Sequence, residues 1–369
     1  MTATNILISS AGRRNYLVRW FREALASHAV EGRIIVADAD PHAPSQVEAD
    51  LFISLPSIAS DEYLPALLKL CCTNQVTFAL SVNDFELSVW SRLDRSEFMD
   101  MGTKLICLRE EAQSLAEDKY AMASSLREPD ILVPPTYLGG DVLSGGDLRE
   151  RLGQSIVIKN RYGSGSSGLI FSTQTTLDRD LDRATGSVRD PLGALIPDRA
   201  IALQSLAVQP KIHGVEYGMD VVSNFAEDFA AVLVRRKIKM RGGETDQATS
   251  EPAERFNALG AKIAAAFPHA GLMDTDVIED PDGHLWLVDI NPRFGGGYPF
   301  SHLAGADVPS AYVGWSRGLD SAVCSLEYES DVVAAKYQEI AIVDTDDPLR
   351  TTSNRTAMSG THHPVGTSR

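Results

Sequence analysis

Cysteine is scarce in this 369-residue chain, and the four present (Cys71, Cys72, Cys107 and Cys324) show no zinc-ligand spacing. That excludes a disulfide framework and a cysteine-built metal site. Cys71 and Cys72 lie in the apolar, helix-like run YLPALLKLCC, and the cysteines read as buried or half-buried free thiols. The eight histidines are scattered and form no metal cluster. Long hydrophobic runs are missing too: none approaches the ~20 residues of a membrane-spanning helix. The apolar stretch in MTATNILISSAGRRNYL is too short for a signal peptide, and its arginines follow it instead of preceding it. The expected compartment is therefore the cytoplasm. Positive charge is in short supply, with 34 Lys+Arg against 50 Asp+Glu and a net charge of −16. A nucleic-acid partner needs a basic footprint and is excluded, as is a membrane; a nucleotide needs only a few local cations. Two nucleotide fingerprints are also absent. The first turn reads S-A-G-R-R and not G-x-G-x-x-G, and no glycine run ends in G-K-[ST].

What is present has the balance of an ordinary globular protein, 44% hydrophobic and 23% charged. The length suggests two or three domains at roughly 100–200 residues each. Up to residue 110, β-rich runs (Asn5–Ser10, Arg33–Ala37, Asp50–Leu55, Thr77–Val82, Thr103–Leu108) alternate with helical stretches (Asn15–His28, and Asp61–Cys72 with Asp61 as N-cap). That alternation predicts a parallel sheet with helices on its faces, Rossmann-like in topology alone. A second block, 111–206, opens on a helix over Arg109–Leu126, passes Pro134-Pro135, and carries strands at Ser155–Lys159 and Leu169–Ser172 with a strand-like hinge at Ala200–Leu206. A third, 207–345, is strand-rich: Glu216–Val222, Ala230–Lys239, Leu272–Glu279 and His284–Ile290, with a helix over Ala253–Phe267. Residues 346–369 are polar and aperiodic, and read as a disordered tail.

The chemistry concentrates in HLWLVDINPRFGGG, residues 284–297. Alternate residues of a strand share a face, so Asp289 and Asn291 point the same way. Pro292 ends the strand, and Arg293 leaves the sheet beside them. Two oxygen ligands next to a guanidinium suit Mg²⁺ bridging a polyphosphate. Asp276, on the preceding strand, is the natural third oxygen, since a turn through Asp280-Pro281-Asp282-Gly283 would set it level with Asp289; Asp274 shares its face. Upstream, Lys159 ends a strand that runs into a Gly/Ser loop containing Gly163, Ser164, Gly165 and Ser166, where backbone N–H groups can close around phosphate oxygens. In VRRKIKMRGGET, the alternation sets Arg235, Lys237 and Lys239 on one strand face, with Arg241 in a glycine loop. This local basic stripe fits a carboxylate substrate or an acylphosphate, or equally a solvated edge. Arg13 and Arg14 follow the first strand, where α/β sheets open their ligand crevice.

Five stretches in this order resemble the ATP-grasp superfamily, and more closely the group similar to the carbamoyl-phosphate synthase large subunit: D-K-Y at 118–120, IVIK to GSGSSG at 156–168, Q-S-L at 204–206, G-V-E-Y-G-M-D at 214–220 and D-I-N-P-R-F-G-G-G at 289–297. The resemblance spans roughly residues 5–320. It implies a Rossmann-like pre-ATP-grasp domain, a lid subdomain, and a strand-rich C-terminal subdomain that clamps ATP. It implies that Lys119 and Lys159 contact phosphates, that the backbone at Gln204, Ser205 and Leu206 meets the adenine edge, and that Glu216 holds the ribose. Asp276, Asp289 and Asn291 become the metal set for Mg²⁺, with Mn²⁺ as a substitute, and Arg293 the arginine at the transferred phosphate. Many relatives carry Glu where this chain has Asp289. The implied reaction is ATP-dependent joining of a small-molecule carboxylate, of amino-acid type, to an amine through an acylphosphate. A bicarbonate-phosphorylating enzyme and a non-catalytic ATP-binding regulator stay open as alternatives. For assembly, the resemblance admits a homodimer through the N-terminal domain.

Overall fold

The computed structural model describes residues 3–126, 131–162, 168–191, 193–319 and 326–343. Gly163, Ser164, Gly165 and Ser166, Cys324 and the tail from 346 lie outside these residues.

Three sheets organise the described residues. The first comprises β1 (Asn5–Ser9), β2 (Ile34–Asp38), β3 (Leu51–Ser54), β4 (Val76–Ser81) and β5 (Lys104–Ile106). All pairings are parallel, in the order β3-β2-β1-β4-β5. Its strands are apolar on both faces because helices cover both. Ile6, Ile8 and Phe78 pack on one side, Leu7, Ile35 and Ala79 on the other. Where β1 ends, Ser10 and Gly12 turn the chain at positive φ, and the Gly12 N–H donates to Asp38 Oδ2 at 2.9 Å. Asp38 stands where a dinucleotide-binding fold keeps its ribose acid, but here it holds the turn. The helix expected at Asp61–Cys72 runs from Tyr63 to Thr73, and Glu62, not Asp61, is its N-cap residue. Cys71 and Cys107 are buried thiols, whereas Cys72 is exposed.

The second sheet is antiparallel and holds β6 (Tyr137–Leu138), β7 (Ser155–Asn160), β8 (Ile170–Thr173) and β9 (Leu206–Pro210) in the order β6-β9-β7-β8. Here two expectations are corrected. The single helix over Arg109–Leu126 is two, Glu110–Glu117 and Lys119–Ser125, broken at Asp118. The Asp118 carboxylate accepts the N–H groups of Tyr120 and Ala121, an N-cap that starts a new helix instead of continuing the old one. The strand-like hinge at Ala200–Leu206 is a helix, Arg199–Gln204, capped by the Asp198 side chain; β9 begins only at Leu206 and carries this sheet to Pro210.

The third sheet, also antiparallel, runs β14-β13-β10-β11-β12-β15. Its strands are β10 (Val215–Ser223), β11 (Phe229–Arg241), β12 (Glu244–Glu251), β13 (Gly271–Glu279), β14 (Leu285–Asn291) and β15 (Val333–Ala335). The polar strand β12, ETDQATSE, shows no apolar alternation in the sequence, yet its residues are mostly buried. Helices Tyr298–Leu303 and Val308–Ser316 bridge this sheet to the first through an aromatic cluster of Phe21, Phe78, Phe294 and Tyr312. No helix among the described residues is long and apolar enough to cross a membrane.

Candidate active site

Sheet register builds the site. Gly218 on β10 pairs with Arg235 on β11 and with Asp276 on β13, and Asp276 pairs with Asp289 on β14. One rung over, Asp274 pairs with both Asp220 and Asn291. Residues opposite each other across antiparallel strands share a face, so one surface of the sheet gathers four carboxylates, an amide and a guanidinium. Facing like charges repel, and the protein answers each with a cation. Lys237 Nζ donates to Asp276 at 2.7 Å; Lys119 Nζ lies 3.0 Å from Asp289 Oδ1. That last contact lacks hydrogen-bond geometry, so Asp289 Oδ1 is a buried oxygen with no hydrogen bond. Burial works against the Asp276 charge, but Lys237 holds its pKa below the usual value.

The two lysines arrive from different elements. Lys119 opens the helix created by the Asp118 break, and the Asp118 carboxylate also takes Arg161 Nε and Nη2 at 2.8 and 2.6 Å. This ties Lys119 to the root of the glycine loop. Lys159, at the end of β7, is buried and donates to the Val288 carbonyl at 3.2 Å. Burial, then repulsion from Lys119, pushes its pKa down to about 8 against the pull of Asp289 and Asp276.

Three guanidiniums complete the surface. Arg235, 2% exposed, donates to Asp220 and Asp274 at 2.6 and 2.5 Å. Arg293 is gripped by Asp84, its Nε and Nη2 each 2.7 Å from a carboxylate oxygen. Asp84 starts the helix after β4, so this pair joins the first sheet to the third; no sequence motif singled it out. Arg14 reaches back the other way, its Nη2 2.8 Å from Glu244 Oε1 on β12. Burial opposes the Glu244 charge, yet Arg14 and Lys336 draw its pKa down to about 2.

The glycine run after Arg293 has a steric reason. A Cβ on Gly295 would lie 2.0 Å from Asp274 Oδ2, on Gly296 2.9 Å from the Glu244 carboxyl carbon, and on Gly297 2.2 Å from Arg235 Nε. Gly218 would meet the same Arg235 nitrogen at 2.7 Å. These glycines make room for the charged side chains.

Two cavities meet on this surface. One, of about 330 Å³, lies between the first and third sheets and is lined by Arg14, Asp84, Arg235, Asn291, Arg293 and Glu244, among others. The other, of about 170 Å³, lies between the second and third sheets and is lined by Lys119, Lys159, Phe171, Lys211, Glu216 and Ile278, among others. Lys237, Met240, Asp276 and Asp289 line both. Several expected residues are placed elsewhere. Gln204, Ser205 and Leu206 do not line the second cavity; its rim is Gln209, Pro210, Lys211 and Ile212, because the helix at 199–204 delays the strand. Lys239 leaves the face of Arg235 and Lys237, since β11 bulges on both sides of it and Met240 takes the inward position. Arg241 is exposed and pairs with Asp246 at 3.4 Å, and Arg13 is exposed; neither lines a cavity.

Residues 6–106 match the family model for the PylC-like N-terminal domain, and residues 202–340 that for ATP-grasp in the biosynthetic pathway with Ter operon. The chain is similar to the biotin carboxylase–β-γ-ATP complex of Campylobacter jejuni, with TM-score 0.66 and 16% identity over 86% of this chain and 72% of that one. This is the ATP-grasp fold. It is also similar to the biotin carboxylase domain of the Hydrogenobacter thermophilus 2-oxoglutarate carboxylase with MgADP and bicarbonate (TM-score 0.65, 14% identity, 86% and 70% covered). A third likeness is to the Aspergillus clavatus carboxyaminoimidazole ribonucleotide synthase with ATP (TM-score 0.61, 14% identity, 88% and 80% covered). No curated protein sequence matches the chain. The expectation of a Rossmann-like domain followed by an ATP-grasp fold is met.

Proposed function

We propose that this chain is an ATP- and Mg²⁺-dependent ligase that joins a small-molecule carboxylate, of amino-acid type, to an amine through an acylphosphate. The observation that carries the reading is the rung of facing carboxylates, Asp276 and Asp289, at the junction of the two cavities. Asp289 Oδ1, buried without a hydrogen bond, is an oxygen suited to a cation, and Asp276 and Asn291 add oxygen donors on the same face. Mg²⁺ held there would neutralise charge on the β- and γ-phosphate oxygens. Lys119 and Lys159 bind the phosphates, and Glu216 the ribose hydroxyls. The backbone at Gln209–Ile212 replaces 204–206 as the adenine edge. Arg293, oriented by Asp84, neutralises the transferred phosphoryl group.

The acid's carboxylate oxygen attacks the γ-phosphorus, the bond from that phosphorus to the β,γ-bridging oxygen breaks, and ADP leaves. The amine nitrogen then attacks the acyl carbon, the C–O bond to phosphate breaks with its electron pair going to phosphate, and the amine proton passes to it. Positioning and charge neutralisation do this work, so no histidine base is required. An ATP-consuming enzyme of this kind is expected in the cytoplasm. The proposed blocks are a pre-ATP-grasp domain to residue 110, a lid block that closes with β9 at Pro210, and a C-terminal subdomain beyond it.

The test is a phosphate-release screen of amino acids, other small carboxylates and amines, singly and in pairs, with mass detection of products. ADP and phosphate are expected only when acid and amine are both present. Release driven by bicarbonate without an organic acid would move the reaction to carboxylation. MgATP binding with no turnover across the panel would make the protein a regulator.

A further inference from the structure

Among the described residues, the wall that the first sheet supplies to the larger cavity carries one cation, Arg14. It follows the turn at the end of β1, and its side chain is 21% exposed. Nη2 donates to Glu244 and Nη1 to the Tyr16 hydroxyl at 3.1 Å, which leaves most of the five N–H donors of a guanidinium for a ligand. The other guanidiniums of this cavity are more fully committed, Arg293 to both oxygens of Asp84 and Arg235 to Asp220 and Asp274, while Lys237 bonds Asp276 at the junction of the two cavities. Glu244 is also bonded by Lys336 at 2.9 Å, so it keeps a counter-charge when Arg14 turns to a ligand.

The location separates Arg14 from the chemistry. The γ-phosphate and the reacting carboxylate must meet where the two cavities join, at Lys237, Asp276 and Asp289; Arg14 is not among these shared residues and stands on the wall that the first sheet supplies. Val82 and Phe85 stand on the same wall as an apolar surface for a ligand's carbon skeleton. A forked guanidinium at such a place suits a carboxylate that is bound but not consumed. Resting on the ligase reading above, we propose that Arg14 binds a carboxylate that survives the reaction, carried by the acid or by the amine substrate.

The test titrates wild type, Arg14→Gln and Arg14→Lys with the proteinogenic amino acids, succinate and glutarate, by calorimetry, with and without Mg²⁺ and AMP-PNP. Carboxylates that bind the wild type are expected to bind Arg14→Gln about tenfold or more weakly, with part of the loss recovered in Arg14→Lys. AMP-PNP affinity should be the same in all three, which also reports a folded cleft. In turnover, a raised KM for the acid alone or for the amine alone identifies the carrier. Unchanged carboxylate affinity in Arg14→Gln, or no carboxylate binding by the wild type, overturns the assignment. A wild type that binds carboxylates but no nucleotide fails the ligase reading and still answers for Arg14.

Discussion

The two cavities share four residues and are walled on different principles. The smaller is lined largely by apolar side chains from the second and third sheets, with Val157, Phe171, Ile278 and Val288 among them. The larger is a lattice of ion pairs: Arg293 with Asp84, Arg14 with Glu244, Arg235 with Asp220 and Asp274. Apolar walls adapt to a substitution by small repacking, whereas breaking one partner of a buried pair strands the other charge. The smaller cavity, proposed for the nucleotide, should therefore tolerate change and the larger, proposed for the substrates, should not. In the larger cavity a ligand gains by exchanging partners, because each cation there already has a counter-charge.

The sharpest break is at the shared junction. Asp289→Ala should lower kcat/KM on the order of a thousandfold, since it would remove the proposed metal oxygen at the junction of both cavities; a variant keeping a tenth of wild-type turnover would detach the rung from catalysis. Next comes Gly297→Ala, whose Cβ would sit 2.2 Å from Arg235 Nε inside the ion-pair lattice. A loss of about 3 kcal/mol in urea unfolding is expected. Gly146→Ala, with open space around its Cβ, is the neutral control.

Smaller is the pH effect of Lys159, whose pKa is pushed down to about 8 from 10.5 by burial. In its proposed role the protonated amine binds phosphate, so MgATP affinity should fall by up to about tenfold per pH unit above pH 8, and Lys159→Arg should flatten the profile. Stability of the nucleotide-free protein runs the opposite way. Unfolding returns the amine to its higher pKa and takes up a proton, so stability rises with pH between about 8 and 10.5. The smallest effect belongs to Lys239→Ala. The bulge turns this side chain away from both cavities, and stability should stay within about 0.5 kcal/mol with turnover unchanged.

The alternation of apolar runs made the first sheet legible strand by strand, because a sheet buried on both faces writes itself as hydrophobic segments. The D-x-N-P-R strand end was legible for a different reason: period-two geometry needs no partner to say which residues share a face. Strand β12 was not, since its polar residues are buried by cross-strand and cross-domain bonds that no local pattern shows. The helix break at Asp118 had a cue, an N-capping residue inside an otherwise helical stretch, but it was outweighed by the helix formers around it. The strand-like hinge at 200–206 was misread because residues 199–204, apolar enough for a strand, are claimed for a helix by the Asp198 cap. Asp84 gave no sign at all: its partner is more than two hundred residues away.

The sequence by itself determined the kit: a lysine before a glycine loop, a strand ending in paired oxygens and an arginine, and an order that resembles one superfamily. These are local facts, set by residue type and spacing. Only the tertiary structure decided which cation answers which carboxylate, where β11 bulges, why three glycines follow Arg293, and that Asp84 and Glu244 reach across to orient the arginines. Those choices depend on register and on contacts between sheets, where the free energy of a charge is fixed by neighbours far away in the chain.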